Sequence, residues 1–485
     1  MRFKLSAFVI FFLSLIVLGQ DIRASEYENM KALLNASSLP IINLTLDSAL
    51  VNSDSFSDGF IEVAQYGETD FKAQCSVRYR GSIALNYNKK NYSVKLLDED
   101  GDDYDYNMLG IRKDNSWILD GMQADRLRMA NKTCFDVWNS MSRTPYETDY
   151  EERNGIICKF VELYVNGWYG GLYCLSDKVD RKLLGLKKAL SYDGINIYKG
   201  VMYKCTCLGT TSARYLTSYR NASMTGTQWN SWELDYPSDY PSEEAWGYLK
   251  DLIDEFQDLD EDSFLEIYGN RFFDYNLVDY VTLLNGLHVE DCAYKNSFLS
   301  IRNVNDSVKF LVTPWDMDFS LGYMGSWHYT YNRDIYFLED RMPYNYLFAL
   351  ESGEFKERMR DRWKELRVGL LHPDSLSERM RGYASEIVES GAWNREYDKW
   401  GSDSSYYYIP LKSSIYEQLD EMEKWYSSHY ANLDEQYGIE DESSGIRSTA
   451  NGETGSGKSY NLHGIEVNEG YKGIVIRNGK KYIRR

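Results

Sequence analysis

The segment Phe310-Leu-Val-Thr-Pro-Trp-Asp316-Met-Asp318-Phe-Ser-Leu-Gly322 is the most informative part of this sequence for both fold and chemistry. Its first residues are apolar, which is typical of a buried strand. Two aspartates, two positions apart, follow at the end of that strand. Hard divalent cations bind carboxylate oxygens, and a strand end holds such oxygens rigidly. The segment predicts a metal site at Asp316 and Asp318, with a purely structural pair as the alternative.

A second segment, Val289-Glu-Asp291-Cys-Ala-Tyr-Lys-Asn296, follows a hydrophobic helical pattern and precedes a short predicted strand. An aspartate followed five residues later by asparagine has the spacing of a kinase catalytic loop. In that loop the aspartate orients or deprotonates the acceptor hydroxyl, and the asparagine binds a magnesium ion. The spacing alone is common by chance, but the aspartate pair at 316 and 318 follows at a kinase-like distance.

A third segment, Val77-Arg-Tyr-Arg80-Gly81-Ser82, leads through a small-residue turn into a strand that carries Lys90 and Lys95. Phosphate groups need close backbone approach, which glycine permits, and fixed positive charge. A hairpin with solvated lysines is the alternative.

A fourth segment runs from Trp117 to Arg128 and reads Trp-Ile-Leu-Asp-Gly-Met-Gln-Ala-Asp-Arg-Leu-Arg. The spacing predicts a helix between Asp125 and Met141, with Asp125 and Arg128 on one face. A surface ion pair is the simplest interpretation of these two residues.

Together these motifs resemble the spore-coat protein H (CotH) family of atypical secreted kinases. The resemblance covers roughly residues 40 to 400. It includes R-x-R-G-S with K-K-x-Y-x-V-K, W-I-L-D-G with D-x-x-R, Y-V-N-G-x-Y-x-G-L-Y, D-x-x-x-x-N and P-W-D-x-D-x-S-x-G. It implies a diverged protein-kinase-like fold of two lobes, and transfer of phosphate from Mg-ATP to protein.

The resemblance also implies roles for individual residues. Asp291 would be the catalytic aspartate, and Asn296, Asp316 and Asp318 would bind Mg²⁺. The residues implied at the nucleotide are Arg80, Gly81, Ser82, Lys90, Lys95, Arg128 and Asp177.

Asp177 marks a departure from the family pattern, which carries a glutamate where this chain reads Leu175-Ser-Asp177-Lys-Val-Asp180. The carboxylate is kept but shortened. A pair with a nucleotide-binding lysine would need a local shift of the backbone.

The predicted fold class is α+β. A domain from 25 to 440 would contain a β-rich lobe of antiparallel strands, about 40–200, and a mainly helical lobe, about 240–440. Residues 441–459 have the Ser- and Gly-rich composition of a linker. Residues 460–485 are predicted to form two or three short strands, and they resemble the sorting segments of proteins exported by the type IX route.

The phosphate-loop pattern G-x-x-x-x-G-K-[ST] is satisfied by residues 452–459. Its mechanism needs a strand before the loop and a helix after it. Here a linker precedes the pattern and a predicted strand follows it, so nucleotide binding at this position is not expected.

The N-terminus has the form of a secretory signal, because a basic start is followed by an apolar run from Leu5 to Leu18. A signal over residues 1–24 predicts an exported protein with no membrane span after its removal. An uncleaved anchor is the alternative.

The amino-acid composition indicates which classes of partner the protein can bind. Among 485 residues, 54 are Lys or Arg and 74 are Asp or Glu, so the formal net charge is −20, which disfavours nucleic acid as a partner. The 42 tyrosines and 12 tryptophans suit an extracellular surface. The seven cysteines cannot all pair within the chain, and Cys205 and Cys207 lack the spacing of a zinc site.

These observations favour an exported kinase that acts on secreted or surface proteins, with Mg²⁺ and ATP as cofactors. A surface adhesion module on the same scaffold is the main alternative, because fold does not fix function. A glycan-acting protein is a weaker alternative, since no carboxylate pair stands out for that role.

Overall fold

A computed structural model describes residues 27–439, with gaps at 67, 147, 150, 207–222, 256–265, 267, 290, 294, 323–352 and 404–409. In the tail it describes Ser459 and the backbone of 460–461, 466–467, 473–477 and 480–484. The chain divides into two compact units, 1–431 and 432–485. The fold class is α+β, as predicted.

The first unit begins with a closed barrel of seven strands. The strands are β1 (Ile41–Leu46), β2 (Ser57–Gln65), β3 (Glu68–Arg80), β4 (Asn91–Leu97), β7 (Ser116–Asp120), β8 (Cys158–Val165) and β9 (Trp168–Ser176). Their order is β1-β2-β3-β4-β7-β9-β8. Neighbouring strands are antiparallel except β1 and β8, which pair in parallel and close the barrel. The prediction of an antiparallel sheet missed this closure, because it depends on contacts between distant segments. Between β4 and β7, β5 (Tyr106–Asn107) pairs with β6 (Lys113–Asp114).

The barrel core follows from alternation along its strands. In β1, Ile42 and Leu44 are fully buried and pack with Val63, Val77 and Leu96 from the next three strands. Alternate residues of a strand point to opposite faces, so one apolar set fills the interior. This core holds the ends of β3 and β7 in fixed positions.

A second sheet combines strands from both halves of the sequence. Its order is β13-β14-β12-β15-β16. The strands are β12 (Val201–Cys205), β13 (Gln228–Trp229), β14 (Trp232–Tyr236), β15 (Ser297–Ile301) and β16 (Leu311–Pro314). Between barrel and sheet, β10 (Leu190–Tyr192) and β11 (Ile195–Ile197) form a separate hairpin. The hairpin next to the predicted metal site therefore pairs, through β15, with β12, which lies about 100 residues earlier, so the mainly helical segment shares a sheet with the earlier part of the chain.

Helices dominate the later part of the first unit. The α-helices among the described residues are α1 (Ala130–Met141), which lies between β7 and β8, and then α2 (Glu243–Glu255), α3 (Asp274–Leu287), α4 (Glu354–Arg367), α5 (Pro373–Glu389), α6 (Ala392–Trp400) and α7 (Ile415–Gln436). Almost every residue of α3 is buried, which explains its uninterrupted apolar pattern. Helices α2 to α7 lie in the segment, about 240–440, that was predicted to be mainly helical.

The prediction of a helix from Asp125 was wrong. Helix α1 begins at Ala130. Arg128 has a positive φ of 56°, which is incompatible with a right-handed α-helix at this position. The Asp125 carboxylate accepts hydrogen bonds from the backbone N–H groups of Leu127, at 2.8 Å, and Ala130, at 2.7 Å. An aspartate before a helix competes for backbone donors in this way and fixes where the helix starts.

The described residues of the tail form four strands, one or two more than predicted. They are β17 (Ser459–Asn461), β18 (Glu466–Val467), β19 (Gly473–Arg477) and β20 (Lys480–Arg484), in the order β18-β17-β19-β20. Because a strand begins at Ser459, the phosphate-loop pattern lacks the helix that its mechanism needs. Lys458 lies outside the described residues.

The six described cysteines are buried: Cys75, Cys134, Cys158, Cys174, Cys205 and Cys292. Cys207 and the predicted signal lie outside the described residues. Within the part of the chain that is described, no helix is both long and apolar enough to cross a membrane.

Acid should destabilise the protein through His429, a buried residue of α7. Its Nε2 donates to the carbonyl oxygen of Asn285 at 2.6 Å, and its ring stacks on Trp425 at 4.8 Å. Burial lowers the pKa of His429 to about 4, from 6.5. The unfolded chain therefore binds the proton more tightly, and stability falls as pH drops from 6.5 towards 4, by about 3 kcal/mol.

Urea unfolding at pH 7 and pH 4.5 tests this effect. The pH-dependent loss should be smaller in His429→Asn than in the unmodified protein, whereas His372→Asn, which alters an exposed histidine, should leave it unchanged. An equal loss in all three proteins would contradict the prediction.

Candidate active site

A cavity of about 330 Å³ lies where the end of strand β3 faces the β15–β16 hairpin. Seven residues that the sequence singled out line it: Arg80, Gly81, Ser82, Asp291, Asn296, Asp316 and Asp318. These residues are spread over more than 230 positions of the sequence. The fold therefore brings the glycine turn, the D-x-x-x-x-N segment and the D-x-D segment to one place.

The base of the β15–β16 hairpin fixes Asn296 against Asp316. The backbone N–H of Trp315 donates to the carbonyl oxygen of Asn296 at 2.8 Å. The Asn296 side-chain amide donates to the Asp316 carbonyl oxygen at 3.2 Å, which leaves its Oδ1 as an acceptor. Asn296 and Asp316 have positive φ angles of 55° and 56°. Such backbone is uncommon outside glycine and clusters at functional sites.

The loop that carries Asp291 is pinned to the same hairpin. The Cys292 thiol donates to the Trp315 carbonyl oxygen at 3.2 Å, and the Tyr280 hydroxyl donates to the Cys292 carbonyl oxygen at 2.6 Å. Asp291 is buried and lies 2.6 Å from the Lys295 ammonium. Burial opposes the charge on Lys295, but the carboxylate of Asp291 outweighs it, so the pKa of Lys295 is raised. Asp291 therefore has a cation next to it inside the cavity.

The two aspartates of the D-x-D segment repel each other. Removal from bulk water, reinforced by the charge of Asp120, raises the pKa of Asp316, although its side chain remains open to the cavity. Burial and the charge of Asp316 raise the pKa of Asp318 well above its usual value. A cation placed between these carboxylates would relieve both effects.

Asn131, at the start of α1, connects the D-x-D segment to the barrel. Its Oδ1 accepts from the backbone N–H of Met317 at 3.0 Å, and its Nδ2 donates to Asp120 at 3.3 Å. Asp120, Asn131, Lys295 and Trp315 also line the cavity, although the sequence motifs predicted no role for them. Asp120 lies in the W-I-L-D-G motif, whereas Asn131 lies in no motif.

Arg80 supplies positive charge opposite the carboxylates. Its guanidinium lies over the Trp315 ring at 5.4 Å, and no carboxylate among the described residues is within ion-pairing distance of it. Burial lowers the pKa of Arg80, while the charges of Asp316 and Asp120 counteract this shift. The next residue, Gly81, has a φ of 103°, and a Cβ there would lie 2.7 Å from the Cβ of Ala84. The turn thus needs glycine, and the guanidinium beside the cavity has no carboxylate partner among the described residues.

A family model described as CotH kinase protein matches residues 77–433. The chain belongs to the CotH kinase family. The matched range contains every residue that lines the cavity, from Arg80 to Phe319, whereas β1, β2 and most of β3 precede it. No curated protein gives a significant match to the chain.

In this CotH-family chain the side-chain oxygens that line the cavity fit a magnesium ion that is bound together with phosphate. Among the described residues, no three His, Cys, Asp or Glu side chains are close enough to hold a metal by themselves. Magnesium at phosphoryl-transfer sites is bound by one or two carboxylates, an amide oxygen and phosphate oxygens. Asp316, Asp318 and Asn296 are of these types. The site therefore suits a metal that arrives with the nucleotide.

The two predicted lysines lie outside the cavity wall. The Lys90 ammonium donates to the carbonyl oxygen of Leu85 at 2.7 Å. Lys95 lines an adjoining cavity of about 610 Å³, which shares Arg80 and Asp316 with the first, and its ammonium lies 4.8 Å from the Phe56 ring. Of the two, only Lys95 has a placement that favours contact with a nucleotide.

Arg128 and Asp177 make internal ion pairs. The Arg128 side chain is fully buried, and its Nε donates to Glu396 at 2.9 Å. Asp177 pairs with Arg153 and Arg112 rather than with a lysine, and burial raises its pKa to about 6. These placements favour structural roles for both residues.

Lys89, for which the sequence motifs predicted no role, is a buried lysine in an ion pair. It is buried and donates to Glu396 of α6 at 2.6 Å and to the carbonyl oxygen of Leu172 at 2.6 Å. Burial lowers the pKa of Lys89 to about 7, against the attraction of Glu396. No sequence signal could have identified this pair, because its members are 307 positions apart.

Proposed function

We propose that this CotH-family protein transfers the terminal phosphoryl group of Mg-ATP to hydroxyl groups of secreted or surface proteins. The observation that carries the proposal is one cavity lined by Asp291, Asn296, the D-x-D aspartates and Arg80, whose guanidinium has no carboxylate within ion-pairing distance among the described residues. A triphosphate with its metal needs oxygen ligands on one side and cationic donors on the other. Neither set of residues explains the arrangement alone.

Asp316, Asp318 and the Oδ1 of Asn296 would hold the magnesium ion, which supplies charge neutralisation for the phosphates. The rigid base of the β15–β16 hairpin fixes these oxygens before the ligand arrives. Such preorganisation strengthens electrostatic stabilisation, because the protein need not rearrange during the reaction.

Arg80 and the Gly81–Ser82 turn would bind the phosphates opposite the metal. A guanidinium presents parallel donors to phosphate oxygens, and glycine lets the backbone approach them closely. Lys95 and Lys204 line the adjoining cavity, where they would add positive charge along the rest of the nucleotide.

Asp291 would orient the acceptor hydroxyl and accept its proton. The hydroxyl oxygen forms a bond to the terminal phosphorus while the bond from that phosphorus to the bridging oxygen breaks, and ADP leaves. The Lys295 ammonium, 2.6 Å from Asp291, would help to balance the charge of the transferred group.

The two-lobe interpretation of the fold belongs to this proposal, with the seven-stranded barrel as the β lobe and the helices after Ser242 as the other. Export guided by residues 1–24 is also part of it, and the sorting-like tail would affect where the protein accumulates. The acceptor would then be a protein outside the cytoplasm.

Calorimetric titration with ATP, with and without Mg²⁺, tests the site. We expect binding to depend on Mg²⁺, and we expect Asp316→Asn to remove that dependence, because one of two carboxylate ligands is lost. The variant should be at least as stable as the unmodified protein, since it removes a charge that repels Asp120 and Asp318.

Asp361→Asn is the matched control, because it makes the same change at an exposed position on α4. It should bind Mg-ATP normally. If the unmodified protein shows no Mg²⁺-dependent binding of nucleotide, the kinase proposal fails and a surface adhesion role takes its place.

A further inference from the structure

The β10–β11 hairpin has an apolar face that points away from the protein. Leu190 pairs with Ile197, and Tyr192 pairs with Ile195, so these four side chains lie on one face of the two strands. Their exposed fractions are 44%, 46%, 74% and 66%, respectively. The turn between the strands is Asp193–Gly194, and both residues have positive φ angles.

On the opposite, polar face of the hairpin Ser191 is exposed and Asn196 is half-buried. Asn196 donates to the Tyr198 hydroxyl at 3.3 Å, and that hydroxyl donates to the Tyr240 carbonyl oxygen at 2.7 Å. Ala189, just before β10, is buried. A hairpin on a protein surface normally buries its apolar face and exposes its polar face. Here the apolar face is left uncovered as a contiguous apolar surface, which marks an interaction site.

Two lysines continue the same face at the base of the hairpin. Lys188 precedes Leu190 by two positions, and Lys199 follows Ile197 by two. The buried residues between them, Ala189 and Tyr198, show that the alternation of inward and outward side chains continues. No carboxylate among the described residues pairs with either lysine. The one acidic group on the hairpin is Asp193, at the turn, beyond the apolar residues.

We propose that this hairpin face docks on an anionic lipid surface, with the apolar side chains at the acyl boundary and the two lysines at the phosphate groups. The occupant must present apolar and anionic groups together over a flat area, and a lipid surface has both. Lysine side chains at the edge of an apolar face reach the headgroups while their stems stay in apolar surroundings. The charge complementarity is local, because the chain as a whole carries a net charge of −20. This inference does not depend on the kinase activity.

Sedimentation of the full chain with vesicles tests the proposal. Binding should be stronger to vesicles of phosphatidylcholine with phosphatidylglycerol than to phosphatidylcholine alone. The double variant Tyr192→Ser with Ile195→Ser should lower the partition coefficient at least about tenfold, because two large apolar side chains no longer enter the interface. Lys188→Gln and Lys199→Gln should each lower it about fivefold on anionic vesicles.

A local measurement separates the hairpin from the apolar N-terminal run, which every variant carries. Amide hydrogen exchange of residues 188–199 should slow on anionic vesicles in the unmodified protein, but not in the double variant. Leu50→Ser is the matched control, because Leu50 is 62% exposed at a position outside the hairpin, and it should change neither result.

Unchanged exchange of residues 188–199 on anionic vesicles would overturn the proposal. It would also be overturned if light scattering showed a dimer that the double variant dissociates while vesicles have no effect, since the face would then bind a second copy. The vesicle result is independent of the kinase proposal, because Asp316→Asn should bind vesicles normally.

Discussion

Replacing Asp291 with asparagine is expected to lower the rate of phosphoryl transfer by about 10²- to 10⁴-fold, the range that general base catalysis contributes. The substitution keeps the size of the side chain but removes its ability to accept the hydroxyl proton. Affinity for Mg-ATP should persist, because the proposed metal ligands are Asn296, Asp316 and Asp318. Incorporation of labelled phosphate into protein measures the rate, and calorimetry measures the affinity.

Asp306→Asn is a suitable control, because Asp306 is exposed in the turn that joins β15 to β16, at the far end of the same hairpin. It should leave rate and affinity unchanged. If Asp291→Asn abolished Mg-ATP binding to the same extent as Asp316→Asn, Asp291 would be a metal ligand rather than the base.

Replacing Glu396 with glutamine is expected to destabilise the protein by about 3 to 5 kcal/mol, the usual effect of removing one partner from a buried ion pair. Glu396 is fully buried and accepts hydrogen bonds from Lys89 at 2.6 Å, Arg128 at 2.9 Å and the backbone N–H of Leu172 at 2.8 Å. Without the carboxylate, the Arg128 guanidinium would remain buried with no neutralising charge, and Lys89 would have to give up its proton or stay buried as an unpaired cation. Urea unfolding measures the change, and Glu357→Gln, on the exposed face of α4, is the control.

The same substitution should weaken activity. The Arg128 Nη1 donates to the carbonyl oxygens of Met122, at 2.7 Å, and Asp125, at 2.8 Å, and so shapes the loop that follows Asp120 of the cavity. Adding Lys89→Met to Glu396→Gln should recover part of the stability, because it removes a buried amine that has lost its charged partner. A double variant less stable than Glu396→Gln would contradict this account.

Stability should also depend on pH through Lys89. Its pKa of about 7 in the folded protein lies below the ordinary value of 10.5. Between these values the unfolded chain binds more protons, so the Lys89 contribution makes stability rise with pH. Lys89→Met should reduce this slope.

The close contact between α6 and the barrel also explains why one sequence motif contains a glycine. Gly171, in the Y-V-N-G-x-Y-x-G-L-Y run, has a φ of 131°, and a Cβ there would lie 2.7 Å from the Glu396 carboxylate. The motif was recognisable from sequence, but its cause is a helix more than 220 positions away.

Sequence alone identified the residues of the candidate site that lie in compact motifs. Asp291, Asn296, Asp316 and Asp318 could be found because their chemistry depends on short spacings at the ends of apolar segments. Residues without such spacing were missed. Asn131 is the clearest case, because its role is to hydrogen-bond Asp120 of the barrel and Met317 of the D-x-D segment, which are far apart in the sequence. Lys90 was preferred to Lys89 although neighbouring residues of an extended chain point in opposite directions, and the barrel determines which one is buried.

What the sequence by itself determined was the α+β class, the kinase-like motifs and the family, because alternation, turn residues and motif spacing are local properties of the chain. Only the tertiary structure decided that β1 closes the barrel against β8, that β12 joins the sheet of β15 and β16, and that Glu396 neutralises Lys89 and Arg128. The physical reason is that these features arise from burial. The pairing of distant strands depends on which apolar side chains are buried together. The sharing of Glu396 by two cations depends on which charged groups are buried with it.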